Sequence, residues 1–137
     1  MKVLAMSLVF LAACSILPDP KSANVKYCTV DPGEIAKAPK TYAVRLSLRP
    51  FTAPARYGHA MAVRPTPYQI TYREETRWVE PPAELVHGAI EKVIRMSEMF
   101  QAREADPEWQ LEGRVLTFDE VHEGASVFAE CTVQFEI

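Results

Sequence analysis

The run Pro67-Tyr68-Gln69-Ile70-Thr71-Tyr72-Arg73-Glu74-Glu75-Thr76-Arg77-Trp78-Val79-Glu80-Pro81-Pro82 holds a strand, a charged turn and the start of a helix. Tyr68, Ile70 and Tyr72 alternate with Gln69, Thr71 and Arg73, the period of two expected of a half-buried strand. Pro81 and Pro82 suit the first helical position, where a missing N–H has no partner to lose. Beyond them Leu85, Val86, Ala89, Ile90, Val93, Met96 and Phe100 recur at helical spacing. Trp78 stands at the corner and is expected to pack beneath the two prolines, fixing the angle between strand and helix.

Outward from this unit, Val25–Val30 reads as a short strand and Tyr42, Val44, Leu46 and Leu48 as a second. Met61 and Val63 mark a third, joined to the Tyr68–Arg73 strand by Pro65-Thr66-Pro67, with prolines that suggest edge or bulged positions. After the helix, Trp109, Leu111, Gly113 and Val115 alternate in a strand ending near Phe118. A turn follows over Asp119–Gly124, and then Val127, Ala129, Cys131, Val133, Phe135 and Ile137 alternate to the end. The expected class is α+β: a single domain with a mostly antiparallel sheet of about five to six strands and one main amphipathic helix on one face. A domain of about 110 residues leaves little room for both a core and a cavity. The last strand lies either inside the sheet, between the first and fifth strands, or at an open edge that invites a second copy or a partner strand.

The first 13 residues read as a signal peptide. Lys2 precedes the apolar run Val3–Ala13, far short of the roughly 20 residues that span a bilayer. It ends Leu11-Ala12-Ala13-Cys14, small residues before a cysteine, the pattern a lipoprotein signal peptidase accepts. Cys14 is thus the expected acylated N-terminus, and Ser15 after it, in place of Asp, favours the outer membrane. Residues 14–24, polar and with Pro18 and Pro20, form a tether, and 25–137 form the folded domain. Net charge is −3 without long like-charge runs, which excludes the electrostatic footprint of a nucleic-acid binder.

No residues assemble into familiar catalytic motifs. His59, His87 and His122 lie in separate elements without metal-ligand spacing. Glu74 and Glu75 sit between Arg73 and Arg77 on what reads as a solvated turn. There is no nucleotide-binding loop and no nucleophile motif, so no metal or cofactor is expected and any ATP hydrolysis belongs to another subunit. Cys28 and Cys131 remain once Cys14 is acylated. In an oxidising compartment a bridge between them and two separately buried thiols are both compatible with the pattern.

The segments Tyr68-x-Ile70-x-Tyr72, Arg77-Trp78-Val79-Glu80-Pro81-Pro82-Ala83-Glu84-Leu85 and Ser97-x-x-Phe100 together resemble the centre of the ABC-type transport auxiliary lipoproteins. Tyr27-x-Thr29-Val30-Asp31-Pro32-Gly33 is similar to that family's opening strand. Arg49-Pro50-Phe51-x-Ala53-Pro54-x-x-Tyr57 is similar to its next strand and loop, and Phe118-Asp119-Glu120 to a late turn. Family members continue past the last strand with further sheet and a second helix, where this sequence stops at Ile137. The resemblance implies a non-catalytic outer-membrane lipoprotein facing the periplasm. Its partners would be an MCE-family subunit and the ABC permease and ATPase of a lipid transport system. Tyr68, Tyr72 and Trp78 are the candidate partner or ligand contacts. The rival readings are a periplasmic lipoprotein that itself binds a lipid or other apolar ligand, and a purely structural outer-membrane lipoprotein.

Overall fold

A computed structural model describes residues 24–102 and 107–137. In chain order the elements are β1 (Lys26–Cys28), β2 (Tyr42–Leu48), β3 (Ala60–Thr66), β4 (Gln69–Trp78), α1 (Pro82–Ser97), β5 (Phe100–Ala102), β6 (Trp109–Glu123) and β7 (Ser126–Glu136). Strands take 51% of the described residues against a single short helix. The protein is therefore mostly β, which corrects the α+β expectation. The described residues form a seven-stranded sheet, more strands than anticipated.

It is also mixed where a mostly antiparallel sheet was expected. β3 with β4 and β6 with β7 are antiparallel hairpin pairs. β1–β4, β2–β5, β2–β6 and β3–β6 are all parallel. Parallel neighbours need long crossovers, and these are supplied by the stretches between β1 and β4 and by the β4–α1–β5 excursion. Alternation in a sequence says which face a residue takes, and nothing about the direction of the strand beside it.

β6 is the spine of the sheet. One of its edges is shared by β2, at Trp109–Leu111, and β3, at Asp119–Val121. Between them the Thr52 N–H donates to the Gly113 carbonyl and the Val115 N–H to the Thr52 carbonyl, both at 2.8–2.9 Å. The whole other edge belongs to β7, from Glu112↔Glu136 to Glu123↔Ser126, closed by the tight turn Gly124-Ala125. Gly124 has φ of 59°, a conformation glycine adopts without steric penalty and which two-residue hairpins demand. The strand expected to stop near Phe118 thus runs on through the supposed Asp119–Gly124 turn.

A bulge explains the misreading. Val115 pairs with Val133 but Thr117 with Thr132, leaving Leu116 as an extra residue in β6. The face shared by Gly113 and Val115 passes from odd to even positions there, so Phe118 joins them, while Asp119 and Val121 are buried on the other side. The Leu116 carbonyl accepts a hydrogen bond from Arg56 Nη2 at 3.2 Å.

The core is a cluster of Phe51, Tyr57, Ala62, Val86, Val115 and Phe118, with Val115 fully buried. Each large apolar side chain removed from water contributes about 1.5–3 kcal/mol before ordering entropy. Phe51 lies flat over Gly113, where any Cβ would come within 2.6 Å of its ring. His87 and Phe135 meet that ring edge-on, at centroid distances of 5.1 and 5.9 Å.

α1 begins as expected, with Pro81 as its cap and Pro82 in the first turn and fully buried. Leu85 and Val86 are buried and Ile90 packs against the core. The helix ends at Glu98, which holds the left-handed conformation with φ of 55°. The segment before β2 straps that end. Ala38 N–H donates to the Ser97 carbonyl, Thr41 Oγ1 to the Glu98 carbonyl and Lys37 Nζ to the Glu98 carboxylate. The Met96 end of the helical stripe stays exposed, so the single helix does not cover the sheet.

Candidate functional site

Between α1 and the β6–β7 hairpin lies an open groove of about 830 Å³. One wall is the helix, through Val86, Ala89 and Ile90. The floor is Phe118 of β6 with the odd-numbered residues of β7, and Trp78 closes one side. The register puts Val127, Cys131, Val133 and Phe135 opposite His122, Phe118, Val115 and Gly113, and opposed residues of an antiparallel pair share a face. The apolar face read from the alternation of the last strand is therefore this floor. Its outer residues stay open to water, with Val127 60% and Phe135 46% exposed. The cleft is open rather than an enclosed cavity: one helix does not cover a hairpin of this length.

Asp119, Glu120 and Glu130 also line the groove, with Glu120 opposite Ala129 and His122 opposite Val127 on the floor's own face. Arg73 grips Glu120 through Nε and Nη2, at 3.1 and 2.6 Å, and His122 Nε2 lies 2.7 Å from the same carboxylate. Arg73 foremost, then His122, holds the Glu120 carboxyl below its usual range. On the opposite face of the hairpin Arg64 joins Glu130 and Asp119, and the Asp119 carboxylate also accepts from the Tyr57 hydroxyl. Each of these acids is thus matched by a cation or donor. Cys131, in that floor, has its thiol pKa pushed up by desolvation among its neighbours although the residue remains partly open.

A smaller cleft of about 370 Å³ lies where Thr29–Pro32 crosses the helix beside Gly88. Asp31 and Lys92 pair there at 2.9 Å, and the lysine lowers the Asp31 carboxyl.

The candidate contacts separate. Trp78 lies in the groove, its ring 5.0 Å from Phe118 and nearly edge-on, packed against the core of the sheet. Tyr68 is at the β3–β4 hairpin tip, 99% exposed, and Tyr72 donates its hydroxyl to the Arg56 carbonyl, away from the groove. Cys28 and Cys131 are both free thiols, on strands that are not neighbours in the sheet. The histidines hold local contacts: His59 with the Trp78 carbonyl, His87 with Phe51 and His122 with Glu120. Among the described residues no cluster of three metal-ligating side chains occurs, and no helix is long and apolar enough to cross a membrane. Cys14 and the tether up to residue 23 lie outside the described residues.

The architecture has counterparts among solved structures. Protein XCC0632 from Xanthomonas campestris, of the family model DUF330, is similar with a TM-score of 0.71 at 18% identity. The match covers 82% of this chain and 66% of that one, so the chain spans about two thirds of its neighbour's length. A second structure, of an uncharacterized protein, matches with a TM-score of 0.53 at 8% identity, covering 82% of this chain and 80% of the other. No family model and no curated protein matches the sequence. These likenesses show the fold alone.

Proposed function

We propose that the chain is a non-catalytic envelope lipoprotein, held to the outer membrane through Cys14, that serves as an auxiliary of an ABC/MCE-type lipid transport system. The observation that carries this reading is the open apolar groove. An unfilled cleft walled by one helix and floored by a hairpin has the form of a helix-in-groove docking site, where an amphipathic partner segment completes the missing layer. The sequence pattern at Leu11–Cys14 supports the anchor, and the resemblance around Trp78–Leu85 supports the transport assignment.

The volume favours one second reading. About 830 Å³ lies within the range of small-molecule sites, so an acyl chain is the alternative occupant. A carrier must cover most of its ligand's surface, however, and this groove leaves its floor open along β7. Docking is therefore the reading advanced.

Detergent-solubilised protein, captured from envelopes and examined by mass spectrometry for both protein and lipid, tests it. Docking predicts recovery of an MCE-family subunit, lost with Ala89→Asp in the groove wall. Stoichiometric lipid with no protein partner would establish the carrier reading instead. Mass spectrometry of the same material should find diacylglycerated Cys14 at the mature N-terminus, and an unmodified cysteine there removes the anchor from the proposal.

A further inference from the structure

Tyr68 has no use inside the domain. With Pro67 it forms the two-residue turn closed by the Thr66↔Gln69 pair of β3 and β4, and it is 99% exposed. Pro65 and Pro67 fix the backbone on either side of Thr66, so the ring is carried on a stiff tip. Ile70 behind it is also open to water. From Pro65 to Tyr72 the hairpin holds no charged residue. The first charge on each strand is an arginine already engaged, Arg64 with Glu130 and Arg73 with Glu120. An uncharged tip ending in a ring with an apolar body and a wet hydroxyl suits the headgroup layer of a bilayer, since it brings no charge to desolvate there.

The direction of β1 decides which end of the domain the tether pulls down. β1 runs parallel to β4, with Lys26 beside Thr76 and Cys28 beside Trp78, so Asn24 and Val25 enter it from the side of the hairpin tip. Beyond Cys28 the chain continues away from the tip along α1, past Glu84 and Lys92, until the Ala38 N–H bonds the Ser97 carbonyl. The C-terminal end of α1 therefore lies at the far end of the domain. Lys26 stands about 20 Å from the tip, the length of β3 from Ala60, beside Arg77, to Thr66. The stretch from Cys14 to Asn24 spans at most about 35 Å. Turned over, the domain would make it double back past β1 and then the roughly 24 Å of α1, leaving almost no slack. We infer that, given the proposed Cys14 anchor, the β3–β4 tip rests on the phospholipid surface that holds the acyl chains, with the Tyr68 ring among the headgroups. The β6–β7 turn comes level with it, since Arg64 pairs with Val121, and its exposed Glu123 stays in water, which limits entry to the ring. The C-terminal end of α1 and the start of β2 then face away from the membrane.

The test uses the lipidated protein reconstituted in phosphatidylcholine vesicles, carrying Cys28→Ser and Cys131→Ser so that one introduced cysteine is the sole reactive thiol. A nitrobenzoxadiazole label is placed at Thr66→Cys, beside the tip, or at Lys40→Cys, at the opposite end. Lipid bearing a headgroup nitroxide should quench the label at position 66 and leave the one at position 40 unchanged. Tyr68→Asp, made where the side chain touches nothing in the domain, should lower the quenching at position 66 to the level of position 40. Equal quenching at the two positions, or quenching at position 66 that survives Tyr68→Asp, overturns the inference and leaves the anchor in place. Protein that fails to float with the vesicles removes the anchor, and the inference with it. A label at position 66 that responds to an MCE-family subunit and not to lipid assigns the tip to a protein partner and overturns the inference as well.

Discussion

The Tyr57 hydroxyl donates to the Asp119 carboxylate at 2.9 Å, the one buried carboxylate of the described core. Arg64 Nε stands 3.7 Å from the other oxygen, so the acid is held between a neutral donor and a cation. Burial, and next to it the acid itself, raises the tyrosine above its ordinary pKa. Tyr57→Phe leaves the packing and removes only the donor. It should destabilise the fold by about 1–3 kcal/mol, the usual penalty for an unsatisfied buried acceptor. Chemical denaturation read by fluorescence checks this, and an unchanged midpoint would show that Arg64 satisfies Asp119 alone.

Gly113→Ala should be more damaging than its single methyl group suggests. The added carbon meets Phe51 at 2.6 Å, and that ring is held between His87 and Phe135. Overpacking of this kind costs about 1–3 kcal/mol. Pairing the change with Phe51→Leu should recover part of the loss, which thermal melts of the single and double variants will show.

The Arg73–Glu120–His122 group should steepen acid denaturation. Glu120 has a folded pKa below its unfolded value, so its contribution is complete above the ordinary carboxylate range and is lost as pH falls through the lowered value. Melting temperatures taken from about pH 7 down to about pH 3 should fall faster for the wild type than for Glu120→Gln, because the amide has no such linkage. Parallel curves would mean that Arg73 and His122 leave the folded carboxyl unshifted.

Glu98→Gly is expected to stabilise. Glu98 closes α1 in the left-handed conformation, where a side chain costs about 1 kcal/mol that glycine does not. The Lys37 ion pair lost in exchange is well exposed on both sides, and such pairs contribute little. Differential scanning calorimetry should find a higher melting temperature, and a lower one would show that the Lys37 strap carries more than its exposure implies.

Local elements were legible where the sequence repeats a clean period. The start of the helix at Pro82 and the β7 alternation follow from spacing and proline chemistry. But Phe100, read as the end of the helical stripe, lies in β5, and the charged turn read around Glu74 and Glu75 is strand within β4. What sequence could not carry was neighbourhood. Nothing in Tyr42–Leu48 says that it lies parallel to both β5 and β6, because period two describes faces and not partners. At Leu116 the bulge shifts the inward phase by one residue, so Phe118 and the residues after it looked like the end of a strand. Tyr68 had the right residue type for a buried face but fell on the hairpin tip. The groove followed from a comparison of sizes: the odd face of β7 was visible as apolar, while the reach of one helix across it was not.

The contrast between hairpin and crossover pairings also sets an order of events in folding. β6 and β7 meet across a two-residue turn, whereas β1–β4, β2–β6 and β3–β6 each close a long stretch of chain before any contact forms. Loop-closure entropy therefore favours the hairpin as nucleus, with β1 and β2 docking last. Gly124→Val, strained at positive φ, should slow refolding, while Tyr27→Ala in β1 should mainly hasten unfolding. Stopped-flow kinetics giving the reverse pattern would place the nucleus elsewhere. If the hairpin leads, the apolar floor of the groove is assembled before its helical wall, and the nascent chain passes through a stage in which its stickiest surface is already complete and wholly bare.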